Sequence, residues 1–219
     1  VFDADGDGEP EPVYYNGFRP GEHVGGSPGD GQLGARALGI ENMAETCVQG
    51  RGVMVDLHAH FGDERVAVNY QQLMEVFEKD SITVEEGDML CLHTGWDDMI
   101  VSMDGDPDAE KLHNSCAVLD GYDETLLKWI TDCGLVAIVS DNMAVENSSG
   151  NGDTQGGRSH LPIHRHCLFR LGVHLGELWY LSELTSALNS RDRSRFLLTA
   201  PPLRMPGAVG SPVTPIGTI

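Results

Sequence analysis

Three short apolar runs, each closing on polar residues, constrain this chain more than any other feature. They are Gly52-Val53-Met54-Val55-Asp56-Leu57, Met89-Leu90-Cys91-Leu92-His93-Thr94, and Leu135 to Val139 followed by Ser140-Asp141-Asn142. Their length and their glycine or turn boundaries read as buried strands. Between the first two, apolar positions at 70, 73, 74, 76 and 77 predict an amphipathic helix over 69–80. A further helix is expected from Asp123 to Asp132. Strand, helix, strand with polar strand ends is an α/β pattern, and such sheets collect ligands at the carboxyl ends of their strands. Trp96 and Asp141, each just past a strand end, are therefore candidate pocket residues.

The 219 residues suffice for one well-packed domain, and neither an internal repeat nor a dividing linker is evident, so 1–219 reads as a single domain. A net charge of −20 excludes nucleic acid and anionic membranes as partners, because phosphate binding needs a basic surface. Five widely spaced cysteines without a C-x-x-C read as free, mostly buried thiols in a reducing, cytoplasmic setting. No run has the apolar length of a membrane span, and no signal peptide opens the chain.

Residues 1–34 are expected to be irregular, anchored by Tyr14, Tyr15 and Phe18. The run Asp3-x-Asp5-x-Asp7-Gly8 imitates a calcium loop, but its twelfth position is Tyr14 where a bidentate Glu is needed. A short helix is expected within 35–48, a loop over 102–115, a Gly/Ser/Asn-rich loop over 147–159, a helix from Leu181 to Leu188 and a last core strand from Phe196 to Ala200. Residues 201–219 read as a proline-stiffened extended tail. His58 and His60 would share a face at the end of the first strand. The barrel that uses such a pair needs more strands than the remaining chain can supply, so they read as a strand-end polar pair.

The stretch 162–177 carries the strongest chemistry. His164 and His166 open an amphipathic turn or two of helix, and Glu177 follows thirteen residues after His164. That spacing exceeds adjacent helical turns, so the expected geometry is a histidine near a helix start facing a glutamate on the next strand or loop. Imidazole and carboxylate donors suit Zn or Mn. His93, His166 and His174 are possible proton relays, but each reads more readily as a satisfied, partly buried histidine.

Several pieces then occur together in one order. They are Tyr15-Asn16-Gly17, Gly50 to Asp56, Gly87-Asp88 with Thr94-Gly95-Trp96, Ser140-Asp141-Asn142, Pro162-Ile163-His164 with Gly176-Glu177, and Ala200 to Arg204 with Gly210 to Val213. This set resembles the cyclase family of metal-dependent hydrolases, the group that includes bacterial kynurenine formamidase and isatin hydrolase. The resemblance implies a swivelling β/β/α fold in a homodimer or homotetramer. It also implies a divalent metal, Zn or Mn, activating water against an amide, lactam, ester or lactone of a small, aromatic or other, substrate. By the same resemblance His164 and Glu177 are metal ligands, and Trp96, Asp141 and His166 line the substrate pocket, with Trp96 stacking on an aromatic ring. The family's H-x-G-T-H-x-D segment, which supplies the other ligands and the catalytic histidine, is not in the sequence and is expected upstream of Val1. Without it, the alternative is an inactive homologue that acts as a binding or scaffolding protein.

Overall fold

The computed structural model describes residues 3, 5–25, 34–147 and 160–219. Two compact units emerge, residues 1–49 with 198–216 and residues 50–197 with 217–219. In the first, helix α1 (Ile40–Thr46) is tied down through Ile40 N–H on the Ala208 carbonyl at 2.7 Å, while Gly207 N–H donates to the Glu41 carboxylate at 3.0 Å. The C-terminal segment is not one extended strand. Pro202 and Val213 form an antiparallel bridge, and Leu203 N–H donates to the Pro212 carbonyl at 2.9 Å.

The second unit carries the α/β architecture. In chain order come β1 (Gln49–Asp56), α2 (Leu57–Phe61), β2 (Ala67–Val68), α3 (Tyr70–Lys79), β3 (Met89–His93), α4 (Trp96–Ser102) and α5 (Ala109–His113). Then follow β4 (Val118–Leu119), α6 (Glu124–Cys133), β5 (Ala137–Ser140), α7 (Pro162–His164), a π-helical stretch (Arg165–Leu171) and β6 (His174–Gly176). The chain closes with α8 (Ser182–Asn189), β7 (Arg195–Thr199) and β8 (Ile216–Thr218). The six-stranded sheet runs β6-β5-β3-β1-β7-β8, and β1, β3, β5 and β6 are parallel neighbours. Strands β2 and β4 form a separate parallel pair.

Sequence explains the local choices. Strand β3 is buried along its whole length, as its unbroken Met-Leu-Cys-Leu run requires of a strand covered on both faces. Helix α3 starts where Asn69 accepts from Gln72 N–H and Gln72 reaches back to Asn69 N–H, a capping box that satisfies two end donors. Its apolar face places Leu73, Val76 and Phe77 in the core with Val53, Val55, Leu90, Leu92 and Ile138. Each such side chain contributes about 1.5–3 kcal/mol by leaving water. Gly52 has no side chain because the Phe196 ring lies against it; a β-carbon there would come within 2.6 Å of Phe196 Cε2.

Three stretches differ from expectation. His58 and His60 lie on α2 instead of ending a strand, and they diverge to separate carboxylates, Asp63 at 2.9 Å and Asp80 at 2.8 Å. Helix α4 arises directly after Gly95, and α5 occupies part of the span expected to be a loop. The Gly/Ser/Asn-rich loop lies, apart from Asn147, outside the described residues. Among the described residues no helix is long and apolar enough to cross a membrane, and Cys91, Cys116 and Cys167 are buried free thiols, pushed by burial up to about 12.

Candidate functional site

Parallel strands deliver their carboxyl ends to one edge, and four ionisable residues line up there. Asp56 ends β1, His93 ends β3, Asp141 follows β5 and Glu177 follows β6. The register places Asp56 opposite His93 and Leu92 opposite Ser140.

The His93 group has the connectivity of a nucleophilic triad. Asp56 Oδ1 lies 2.8 Å from His93 Nδ1, and His93 Nε2 lies 3.1 Å from Ser182 Oγ. The protons run the wrong way for that chemistry. Ser182 donates its single hydroxyl proton to Asp97 Oδ1 at 2.6 Å. With that proton committed, His93 Nε2 is placed to donate to Ser182 and Nδ1 to Asp56, an arrangement that favours the protonated ring over a general base. Burial pulls the His93 pKa down, but the Asp56 hydrogen bond and the charges of Asp141, Asp56 and Asp97 outweigh it and raise it overall. Burial would raise Asp97, yet Ser182 and the amides of Leu181, Ser182 and Asp98 hold it below the usual carboxylate range.

His93, Asp97 and Asp141 bring one donor atom each within 4.8 Å of one another, all buried, a set that could hold a metal ion. Every one of those donors already has partners. Asp141 accepts from Thr94 N–H at 2.9 Å, Thr94 Oγ1 at 2.7 Å and Gly95 N–H at 2.8 Å. Asp97 accepts from Leu181 N–H at 2.6 Å and Ser182 N–H at 2.9 Å besides the serine hydroxyl. An ion here would have to break the clamp that closes the β3–α4 turn at Gly95, whose φ is +82°.

The second constellation is differently built. His164, the last residue of α7, points Nε2 at Glu177 Oε1, 3.4 Å away. Its Nδ1 lies 2.8 Å from Glu146 Oε1. Glu146 is fully buried, and its carboxylate also accepts from the amides of Ile163 at 2.7 Å and His164 at 2.8 Å at the start of α7. Glu177 is steadied by Val145 N–H at 3.0 Å. The hydrogen bonds to Glu146 and then Glu177 push His164 up to about 9 against the effect of burial. Both side chains keep partial solvent access, 24% for His164 and 26% for Glu177. One nitrogen and one carboxylate oxygen, partly open and aimed at each other, fit two ligands of a divalent ion.

This arrangement predicts a pH signature in the metal-free protein. Because His164 titrates at about 9 folded against 6.5 ordinarily, its ion pairs stabilise fully below pH 6.5 and are lost as pH rises through 9. Urea unfolding in chelator should show that decline between pH 6 and 9, and the His164→Gln variant should remove it; an unchanged slope in that variant would refute the assignment.

The other sequence candidates are placed elsewhere. Trp96 is 4% exposed, enclosed by Met99, Leu112 and Cys116, with its indole N–H on the Leu112 carbonyl at 3.0 Å. Its ring is packed in the core instead of presented to a ligand. Asp141 clamps Thr94 and Gly95, and burial pushes it up to about 6. His166 turns away to Thr131 Oγ1 at 2.8 Å, with burial lowering its pKa. His174 lies exposed on β6. Beside Glu177, Leu178 adopts φ +59° with its side chain 62% exposed, its amide fixed to the Asn142 carbonyl at 3.0 Å. Glu146 was not marked by any sequence motif. Near the N-terminus Asp3, Asp5 and Glu11 also approach within 4.8 Å, with Asp5 and Glu11 both 3.3 Å from Arg19.

Comparison with known proteins adds a family. A profile described as "Putative cyclase" matches residues 18–147. A crystal structure of a novel cyclase is 31% identical, with a TM-score of 0.76 over 97% of this chain and 65% of that one. Isatin hydrolase A from Ralstonia solanacearum is 14% identical, with a TM-score of 0.54 over 77% of this chain and 59% of its own. A predicted metal-dependent hydrolase from Bacillus stearothermophilus is 16% identical, with a TM-score of 0.50 over 77% of this chain and 62% of its own. The chain spans less than two thirds of the length of each of these proteins. No curated protein matches it.

Proposed function

The chain belongs to the cyclase family, and from that premise we propose that it is a metal-dependent hydrolase of an amide, lactam, ester or lactone in a small substrate. The observation that carries the reading is the pair His164 Nε2 and Glu177 Oε1 at 3.4 Å, partly exposed beside the carboxyl end of β6. Zn or Mn would be held by these two residues together with further ligands. A divalent ion there supplies Lewis acidity and lowers the pKa of water. His164 must lose its ring proton to bind, so acid competes with the metal below about pH 9. Glu177 stays fixed on Val145 N–H while it presents its carboxylate. A homodimer or homotetramer is the assembly that membership of this family suggests.

The test is metal analysis of the purified full chain together with turnover of a panel of aryl and alkyl amides, lactams and esters. A stoichiometric divalent ion and chelator-sensitive hydrolysis are expected. Saturating metal at a hundredfold excess over Kd should add about 2.7 kcal/mol of stability. No bound ion, no thermal shift and no turnover would overturn the hydrolase and leave a binding or scaffolding protein.

A further inference from the structure

We infer that Glu146 is the positioning residue of this metal site, and that the short segment Val145–Asn147 sets both proposed donors at once. The inference rests on the reading of His164 and Glu177 as metal ligands and adds a residue that no sequence motif marks. The segment is itself anchored. Glu146 bridges in parallel to Leu119, Leu119 N–H donates to the Val145 carbonyl at 2.9 Å, and Asn147 N–H donates to the Leu119 carbonyl at 3.1 Å. From that base the Val145 amide holds Glu177, and the Glu146 side chain holds His164.

The proton logic follows from the hydrogen-bond directions. An ionised carboxylate only accepts, so Glu146 fixes the ring proton on Nδ1 and leaves the Nε2 lone pair free toward Glu177. A carboxylate behind a ligating imidazole sets ring orientation and raises donor strength. The amides of Ile163 and His164 bind the same carboxylate, so ring and helix start are aimed together. Glu146 is 0% exposed, which makes a second arrangement expensive, because the charge has no water to turn to.

Room for that carboxylate is provided by Gly121. Its φ is not in the left-handed region, so backbone freedom is not the reason for glycine. A β-carbon there would run into the Glu146 carboxylate and lie 2.6 Å from Pro162 Cγ. Any side chain at 121 displaces Glu146 or α7.

The experiment uses the full chain and inorganic zinc. Zinc affinity is read by chelator competition, and the His164 ring tautomer by nitrogen-15 NMR of the metal-free protein at alkaline pH. The unmodified protein should hold the Nδ1–H form; a dominant Nε2–H form overturns the inference whatever the variants do. In Glu146→Gln one oxygen becomes a donor that must oppose the Ile163 or the His164 amide, so the anionic hold on Nδ1–H is lost. The Nδ1–H population should then fall, and zinc affinity should fall by about 10- to 100-fold. Gly121→Ala should weaken zinc by a similar factor. A folded Glu146→Gln variant with unchanged tautomer and unchanged zinc affinity overturns the inference. If the unmodified protein binds no zinc, the hydrolase reading fails, while the tautomer measurement still decides for or against Glu146.

Discussion

His164→Ala is expected to abolish divalent-metal binding and hydrolysis while leaving a folded protein. The loss should exceed the roughly 10- to 100-fold that follows from removing an outer-shell partner, because a donor itself is gone. The fold should survive for a local reason. Two of the bonds to Glu146 come from backbone amides, Ile163 at 2.7 Å and His164 at 2.8 Å, and neither depends on the imidazole. The side chain is also partly in solvent, so its removal leaves no sealed cavity. Glu177→Ala should give the same metal loss, freeing the Val145 amide and leaving His164 Nε2 without its carboxylate. Metal titration and circular dichroism on both variants decide the matter. Full metal in either would remove that residue from the coordination sphere.

The largest expected effect on stability lies at the other constellation. Asp97→Ala should cost about 3–5 kcal/mol, the range for removing one partner from a buried charged network. Its carboxylate satisfies Leu181 N–H, Ser182 N–H, the Ser182 hydroxyl and Asp98 N–H, which water cannot easily replace at 4% exposure. Its charge also helps keep His93 protonated. Urea denaturation would show this directly, and a loss under about 1 kcal/mol, the worth of one ordinary hydrogen bond, would refute the network reading. A site holding a metal through Asp97 would instead lose metal on this substitution, so metal content measured alongside separates the two roles.

How far the sequence alone reached depended on whether the signal was periodic. The buried runs at β1, β3 and β5 and the amphipathic helices α3 and α6 were legible, because burial on two faces or one stripe leaves a pattern in apolar spacing. Helices α4 and α5 were not anticipated. Helix α4 follows a left-handed glycine yet carries a legible apolar stripe at Trp96, Met99, Ile100 and Met103, whereas α5 sits in a strongly polar stretch capped by Asp108 and has none. His58 and His60 were expected to continue a strand, but Asp56 caps a helix by accepting from Ala59 N–H and turns the chain at that point. The spacing of His164 and Glu177 said only that they could not sit on adjacent helical turns; their pairing came from the family resemblance. Glu146 was not readable, because a lone buried carboxylate has no period and its partner lies on the far side of a long polar stretch. Trp96 shows the opposite error: a residue next to a strand end is not thereby in a pocket.

Leu178 has a consequence for how such a protein tolerates substitution. A leucine at φ +59° is strained, by roughly 1–2 kcal/mol, and it is held there by bonds from its own amide and from Trp179 to the strand-end residues Asn142 and Ser140. A glycine would relieve the strain and, in the same stroke, slacken the backbone that carries the Glu177 carboxylate. A glycine at 178 would therefore be expected to trade strain relief for a less fixed Glu177 carboxylate, stability against turnover.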